Sequence, residues 1–178
     1  IREMVPSGFS IRKDLHPLLK SSKFDLDRLR IARYVNLQRA RLSVGTLGGG
    51  NHFIEINQDS NGQYYIVIHT GSRNLGKQVA EYYQHQAEIW MDQKSRNRSS
   101  LINQLKAEGR EKEIEATIKA IPALKVPKEL AYLEGQLMED YLHDMDIVQF
   151  YAHLNRAAIM YSITDSMGWN VGDGFNTI

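Results

Sequence analysis

The sequence contains no cysteine, and this removes disulfides and thiolate ligands from any account of the protein. A metal site in this chain must therefore rely on histidine and on oxygen-bearing side chains. No apolar run approaches the roughly 20 residues that a membrane span requires, and no signal peptide opens the chain. These absences predict a cytoplasmic protein that has no membrane partner.

Excess charge of one sign is also absent, because 22 Lys and Arg residues stand against 21 Asp and Glu residues. This balance neither requires nor excludes a nucleic-acid partner, since a local basic face can exist within a neutral total. Residues 25–41 are rich in arginine at helical spacing, which is more typical of a solvated helix face than of an RNA-binding face. The length of 178 residues, 42% of them hydrophobic, predicts a single domain over residues 1–178.

Two histidines flank a predicted β-hairpin. Residues 53–57 alternate apolar with polar side chains, residues 59–62 have the composition of a turn, and residues 63–68 are β-branched and aromatic. With a four-residue loop His52 faces His69 directly, and with a two-residue turn the two are diagonal neighbours on one face. In either register the two imidazoles lie close enough to bind one metal ion or two adjacent ions.

The rest of the chain has mainly helical patterns. Helices are predicted for about residues 77–94 and for residues 129–164, and the charged stretch at about residues 95–128 is expected to form a projecting helical insertion. Asn155 interrupts an apolar helix face, where a polar amide is more often a satisfied core residue than part of a site wall. The predicted class is α+β, with a mixed or antiparallel sheet that includes the ligand-bearing hairpin and packs on helices.

A run of three glycines at residues 48–50 lies directly before Asn51 and His52. It lacks the ending of a P-loop and the spacing of a dinucleotide fingerprint. A backbone nest for phosphate and a tight loop that leads into a strand are equally good readings of this run. Arg73 follows His69 closely, where a guanidinium can hold a phosphate near a metal.

These motifs carry a resemblance to a known family. Residues 44–56 read VGTLGGGNHFIEI and residues 69–76 read HTGSRNLG, which resemble the two central signatures of the RtcB family of RNA-splicing ligases. Residues 140–145, DYLHDM, followed by QFYA at residues 149–152 and by Asn-Arg at 155–156, resemble its next block. The likeness extends over essentially the whole chain.

The resemblance implies an enzyme that depends on GTP and manganese. Such a ligase joins an RNA end with a 2′,3′-cyclic phosphate or a 3′-phosphate to a 5′-hydroxyl end, through a guanylylated histidine. The RNA partners it implies are tRNA halves or other cleaved RNA ends. Two adjacent divalent ions suit this chemistry, because they polarise the phosphoryl group and activate the attacking oxygen.

Motif positions then imply residue roles. His52 and His69 correspond to manganese ligands, one for each ion of a pair. Asn51 corresponds to a residue that contacts a phosphate. Phe53 and Glu55 correspond to residues that face the guanine of the nucleotide. Three correspond to contacts with RNA or phosphate oxygens: Arg73, Asn155 and Arg156.

The chain also departs from the family pattern. A cysteine and an aspartate that bind metal are expected before residue 1, and a third histidine ligand and the nucleophilic histidine are expected after residue 178. The chain is therefore interpreted as a central fragment with no catalytic nucleophile of its own. Two imidazoles alone make a weak metal site, so we expect this fragment by itself not to ligate RNA.

Two other functions fit the same residues. A metal-dependent phosphoesterase would use the hairpin histidines for hydrolysis in place of ligation. A non-catalytic RNA-binding module would bind RNA without either histidine and would respond steeply to salt.

Overall fold

The computed structural model describes residues 1, 3–120, 126–170, 172 and 174. Within these residues the α-helices and β-strands are, in chain order, α1 Pro17–Ser21, α2 Leu37–Ser43, β1 Phe53–Gln58, β2 Tyr64–His69, α3 Leu75–Ala107, α4 Ile114–Ala120 and α5 Gln136–Met167. Short 3₁₀ turns lie at Leu26–Arg28, Ala32–Tyr34, Glu111–Glu113 and Lys128–Leu130. The two strands form an antiparallel sheet, and together with the helices they confirm the predicted α+β class.

The described chain divides into two compact units, residues 1–79 with 140–178 and residues 80–139. The helix predicted for about residues 77–94 is longer than expected, because α3 continues to Ala107 through the first part of the insertion predicted at 95–128. Residues 121–125 of that insertion lie outside the described residues. The single domain with a projecting insertion stays a prediction.

Helix α5 supplies one side of the main core of the first unit. Its residues Tyr151, Leu154 and Ala158 recur at helical spacing and are buried. They pack with buried residues from the segments before and after the hairpin, namely Leu26, Leu29, Ala40, Val44 and Leu75. The Tyr151 hydroxyl donates a hydrogen bond to the carbonyl of Ala40 at 2.7 Å, so its polar end is satisfied inside the core.

The hairpin packs on a second core cluster through one of its faces. Ile54, Ile66 and Ile68 contact this cluster, whose buried members are Val5, Ile159 and Ile163. Alternation along the strands places the side chains of Phe53, Glu55 and His69 on the opposite face. That outer face is exposed, so it is the face on which the hairpin presents polar chemistry.

The register of the hairpin corrects both predicted pairings. Phe53 pairs with His69, one residue away from the predicted pairing of His52 with His69. The shift arises at the turn, where the Asp59 carboxylate accepts hydrogen bonds from the backbone N–H groups of Asn61 and Gln63, each at 2.9 Å. With this side-chain cap the loop comprises residues 59–63, which is one residue more than the predicted four-residue loop and three more than the predicted two-residue turn.

Arg12 fastens the glycine-rich segment to the core. Its guanidinium donates hydrogen bonds to the carbonyls of Val44 at 3.1 Å and Gly45 at 3.0 Å, and to the Ser162 hydroxyl of α5 at 3.0 Å. Burial lowers the pKa of Arg12 from its usual value. The start of the glycine-rich segment is thereby fixed relative to α5.

Among the described residues, no helix combines the length and the apolar character that crossing a membrane requires.

Candidate metal and phosphate site

The site is built from two loops that lie at the base of the hairpin. The glycine loop, residues 44–51, leads into β1, and the second loop, residues 70–74, follows β2. The buried Thr70 hydroxyl joins the loops by donating a hydrogen bond to the carbonyl of Leu47 at 2.6 Å. Ser72 stabilises the N-terminus of helix α3, since its hydroxyl accepts a hydrogen bond from the N–H of Gly76 at 3.1 Å.

Asn155 joins the same two loops from helix α5. Its amide oxygen accepts hydrogen bonds from the N–H groups of Gly45 at 2.8 Å and Thr46 at 3.2 Å. Its amide nitrogen donates to the carbonyls of Thr46 at 3.2 Å and Gly71 at 3.3 Å. The side chain is fully buried and uses two acceptor and two donor positions in these bonds.

An RNA contact by Asn155 would have to replace one of these four bonds. The contact stays a prediction, and the geometry shows the amide holding the two loops together. This agrees with the general expectation for a polar amide on an apolar helix face. Its neighbour Arg156 donates a hydrogen bond to the carbonyl of Thr70 at 3.3 Å, so α5 touches the second loop twice.

The two candidate metal ligands lie side by side despite the shifted register. The ring centroids of His52 and His69 are 6.0 Å apart, with their planes inclined by 55°. His52 precedes the first residue of β1, so the strict alternation of side chains does not govern its direction. The predicted convergence of the two imidazoles is therefore present, although Phe53 occupies the position opposite His69.

His52 has a chemical environment that suits a neutral ligand. Its Nδ1 atom is buried and has no hydrogen-bond partner within the part of the chain that the structure describes. Its pKa is lowered, chiefly by burial and further by the charges of Arg73 and His69, with a backbone interaction at Leu47 acting in the opposite direction. A neutral imidazole is the form that binds a metal ion.

His69 is held by an aromatic contact. Its ring stacks on Phe53 with centroids 5.3 Å apart and planes within 20° of parallel. Phe53, exposed over 41% of its surface, shares the outer hairpin face with Glu55. The Glu55 carboxylate accepts a hydrogen bond from the Asn57 amide at 3.0 Å. The predicted guanine contacts therefore lie beside a predicted metal ligand.

The fit to a metal ion is partial. An unpartnered buried nitrogen next to a second imidazole matches what a metal ion takes from histidines. Across residues 1, 3–120, 126–170, 172 and 174, however, no group of three His, Cys, Asp or Glu side chains comes together. His52 and His69 thus fit as two ligands of a site, and further ligands have to complete it.

Arg73 lies directly against the glycine loop. Its Nε donates a hydrogen bond to the Thr46 hydroxyl at 3.0 Å, and its Nη2 donates to the carbonyl of Gly8 at 3.1 Å. The guanidinium crosses the α-carbon of Gly48, where a Cβ would lie 1.7 Å from Nη1 and 2.7 Å from Nδ1 of His52. Glycine at this position therefore lets the guanidinium of Arg73 approach His52 closely.

The backbone at Arg73 is unusual for a long side chain, because its φ is +47° and that of Asn74 is +70°. Two successive left-handed residues turn the chain sharply between β2 and α3, and this turn aims the guanidinium back at the glycine loop. Burial lowers the pKa of Arg73, with the nearby charge of Arg39 adding to the effect and Tyr151 opposing it.

Two threonines were missed by reasoning from the sequence. Thr46 and Thr70 are buried, and each places its hydroxyl between the two loops. The available signal was their position, since each is a hydroxyl residue next to a glycine that borders a predicted ligand motif. Asn51, predicted to contact a phosphate, is exposed beside His52, and this role stays a prediction.

Comparison with known proteins identifies the family. The model of the tRNA-splicing ligase RtcB family matches residues 1–174. The chain belongs to the RtcB family. Two proteins of Escherichia coli strains, named RNA-splicing ligase RtcB and RNA-splicing ligase RtcB1, are each 31% identical to it over 137 residues, which is 76% of this chain. A tRNA-splicing ligase RtcB of Thermococcus kodakarensis is 31% identical over 93 residues, or 44% of this chain.

The family resemblance drawn from the two hairpin motifs is thus confirmed. The matched region makes up 27% of each Escherichia coli relative and 19% of the archaeal one. No solved structure gives a significant match to this chain.

Proposed function

We propose that this chain contributes two metal ligands, an arginine and part of a nucleotide site to an RNA ligase. The ligase joins RNA ends bearing a 2′,3′-cyclic phosphate or a 3′-phosphate to 5′-hydroxyl ends, with GTP and manganese as cofactors. The observation that carries the proposal is the pair of imidazoles 6.0 Å apart, one with an unpartnered buried nitrogen, next to an arginine. Family membership supports it, because the relatives are named RNA-splicing or tRNA-splicing ligases.

His52 and His69 are the residues that hold manganese in this proposal. When bound, manganese stabilises negative charge on phosphoryl oxygens and favours ionisation of an attacking group. The residues of this chain contribute by supplying neutral nitrogens in fixed positions. Burial lowers the pKa of His52 and so favours its uncharged form, and stacking on Phe53 restricts the ring of His69. Asn155 fixes the spacing of the two loops that adjoin these histidines.

Arg73 orients a phosphate in this proposal. Two of its nitrogens are held by Thr46 and Gly8, so the direction of the guanidinium is set before a phosphate arrives. The partly buried cation interacts more strongly with a phosphate than a solvated one does. Because Gly48 has no side chain, the guanidinium and His52 can lie close together. A phosphate bound by Arg73 would then lie near a metal ion held by His52.

The guanine of GTP is assigned to the outer face of the hairpin, where Phe53 and Glu55 lie beside His69. The carboxylate of Glu55 can accept hydrogen bonds from the N–H edge of guanine, and the ring of Phe53 offers an exposed aromatic edge. Asn51 is the last residue of the glycine loop, and Arg156 of α5 donates a hydrogen bond to Thr70, the first residue of the second loop. Asn51 is assigned to phosphate and Arg156 to RNA. The RNA substrates are tRNA halves or other cleaved RNA ends.

Manganese binding by the 178-residue chain tests the metal assignment. Loss of the electron paramagnetic resonance signal of free Mn²⁺ on addition of protein measures binding, which we expect to be weak, with two ligands from this chain. His52→Ala and His69→Ala should each remove it. His85→Ala, an exposed histidine on α3, serves as the matched control and should leave binding unchanged. Equal binding by the double variant and the wild type contradicts the assignment.

Ligation is tested with the complete product of the gene, given GTP, Mn²⁺ and RNA ends of the stated chemistry. Joined RNA that requires both His52 and His69 supports the proposal. Hydrolysis of the cyclic phosphate without joining would indicate a metal-dependent phosphoesterase. RNA binding without any reaction, unchanged when both histidines are substituted, would indicate a non-catalytic binding module. The 178-residue chain alone is expected to give no joined product.

A further inference from the structure

A short turn near the start of the chain is attached to the glycine loop. Residues 7–10 form the turn, with the N–H of Ser10 donating to the carbonyl of Ser7 at 3.2 Å. The N–H of Gly8 donates to the carbonyl of Gly48 at 2.8 Å, and Ser7 and Gly48 form a parallel bridge. These backbone bonds hold the turn rigidly beside Arg73 and His52.

This turn presents one aromatic side chain to solvent. Phe9 is 95% exposed, more than any other large hydrophobic residue in the part of the chain that the structure describes. A single exposed apolar side chain is ordinary on a protein surface. Phe9 differs in its setting, because the turn that carries it is hydrogen-bonded to the glycine loop and two arginines donate hydrogen bonds to that turn.

Two arginines converge on the backbone of the turn. Arg39 donates a hydrogen bond from Nη2 to the carbonyl of Phe9 at 2.9 Å, and Arg73 donates from Nη2 to the carbonyl of Gly8 at 3.1 Å. Within the described residues neither guanidinium forms an ion pair with a carboxylate, so each keeps N–H donors for another ligand. Two close cations without a counterion attract an anion with several oxygens.

The charge of the surrounding segment has the same sign. Residues 1–79 contain 12 Lys and Arg residues against 6 Asp and Glu residues, while the rest of the chain contains 10 against 15. The near-neutral total therefore hides a basic segment that includes both arginines. Such an excess favours a polyanion over an acidic side chain or a small neutral ligand.

We infer that Phe9, Arg39 and Arg73 bind one nucleotide of single-stranded RNA, with its base stacked on Phe9 and its phosphate on the two arginines. Stacking on an exposed aromatic ring and neutralisation of phosphate by arginine are the two features by which proteins bind single strands. The inference rests on the proposed function in taking RNA as the substrate. It adds a subsite that leads the strand along the 7–10 turn toward the glycine loop.

RNA binding without catalysis tests the subsite. The 178-residue chain is titrated, in EDTA and without GTP, against a fluorescently labelled ten-nucleotide RNA and against a strand of equal length whose nucleotides are abasic. Phe9→Ala should weaken binding of the base-containing strand about 5- to 100-fold, in line with the usual loss of one base stack. It should change binding of the abasic strand less than about twofold, because the phosphate contacts remain.

Matched variants separate stacking from other effects. Phe9→Leu keeps apolar bulk without a ring and should behave like Phe9→Ala, whereas Phe9→Trp should bind at least as tightly as the wild type. Tyr64→Ala removes another exposed aromatic, at the start of β2, and should leave RNA binding unchanged. Arg39→Gln should weaken the binding of both strands and reduce its salt dependence by about one phosphate contact. Arg96→Gln, at an exposed position on α3, should change neither.

Several results overturn the inference: equal affinities of the wild type and Phe9→Ala, equal loss for both strands, full binding by Phe9→Leu, or a wild type that binds no RNA. Circular dichroism melting verifies that each variant is folded. Failure of the ligase proposal is distinguishable, because Phe9-dependent binding in EDTA can persist when no Mn²⁺ binds and no RNA is joined. Metal-dependent joining that is indifferent to Phe9, with unchanged binding, overturns the subsite alone.

Discussion

The guanidinium of Arg73 lies across the α-carbon of Gly48, in the space that any larger residue would fill with its side chain. A Cβ at Gly48 would lie 1.7 Å from Nη1 of Arg73, and the φ of Gly48 is +92°. The position therefore disfavours other residues for two independent reasons, namely a left-handed backbone and the guanidinium that would have to move. Among the three glycines of residues 48–50, Gly48 is therefore the one whose missing side chain leaves room for Arg73.

Gly48→Ala is expected to displace Arg73 and to destabilise the chain by about 2–4 kcal/mol, from overpacking together with the left-handed backbone. Gly50→Ala is the matched control, because its φ is also positive, +75°, but a Cβ there meets no atom within 4 Å. It should cost only about 1 kcal/mol. Urea denaturation measures both, and equal losses from the two variants would show that Arg73 does not occupy the space at Gly48.

Asn155→Ala is expected to destabilise the chain by about 3 kcal/mol, because it leaves buried N–H and carbonyl groups of two loops without partners. If the proposed metal site is correct, it should also weaken Mn²⁺ binding, since the loops that adjoin His52 and His69 lose their common anchor. Asn103→Ala, an exposed asparagine on α3, should change the free energy of unfolding by less than about 0.5 kcal/mol. If Asn155→Ala were as stable as the wild type and bound Mn²⁺ normally, the amide would have no role in positioning the loops.

The hairpin shows how far periodicity determines a fold. Alternating side chains and turn composition were sufficient to predict both strands and the convergence of His52 on His69. The register required knowing that the Asp59 carboxylate caps two backbone N–H groups, a competition between side chain and backbone that spacing does not reveal. The predicted register was therefore wrong by one residue, and Phe53, rather than His52, lies opposite His69 in the structure.

The site shows a different limit. The sequence motifs indicated the glycine loop and Arg73, and the apolar face of α5 indicated a buried Asn155. The partners of that amide lie 84 to 110 residues away along the chain, so no local pattern identifies them. The same holds for Arg39 and Phe9, which are 30 residues apart and have no motif in common. Their proximity follows from the hydrogen bond between the 7–10 turn and Gly48, which the sequence does not reveal.

Asp144 gives a prediction about how the first unit is held together. Its fully buried carboxylate accepts hydrogen bonds from the N–H groups of Arg30 at 2.7 Å and Ile31 at 3.3 Å. Asp144→Ala should therefore lower the free energy of unfolding by about 2–4 kcal/mol, because two backbone N–H groups lose their carboxylate acceptor and are left without partners. Asp146→Ala, an exposed carboxylate two residues along α5, should stay within about 0.5 kcal/mol of the wild type in the same urea titration. Similar losses from both variants would argue against this anchoring role.

His16 predicts a loss of stability in mild acid. Its ring is buried, accepts a hydrogen bond from the N–H of Leu18 at 3.2 Å and lies 3.1 Å from the Ser162 hydroxyl. Burial, aided by the charge of Arg12, lowers its pKa from 6.5 to about 4. Protonation therefore favours the unfolded chain, so the stability is fully present above pH 6.5 and is lost as the pH falls toward 4, by at most about 3 kcal/mol.

Urea denaturation between pH 4.5 and pH 7.5 measures this loss. His16→Asn removes the titrating ring and retains a side chain that can cap helix α1, so its stability should depend less on pH than that of the wild type. His85→Asn, which changes an exposed histidine, should keep the wild-type profile. Other groups titrate in both proteins, so the difference between the two profiles isolates His16. Parallel profiles for His16→Asn and the wild type would mean that His16 is protonated in the folded chain as readily as in the unfolded one.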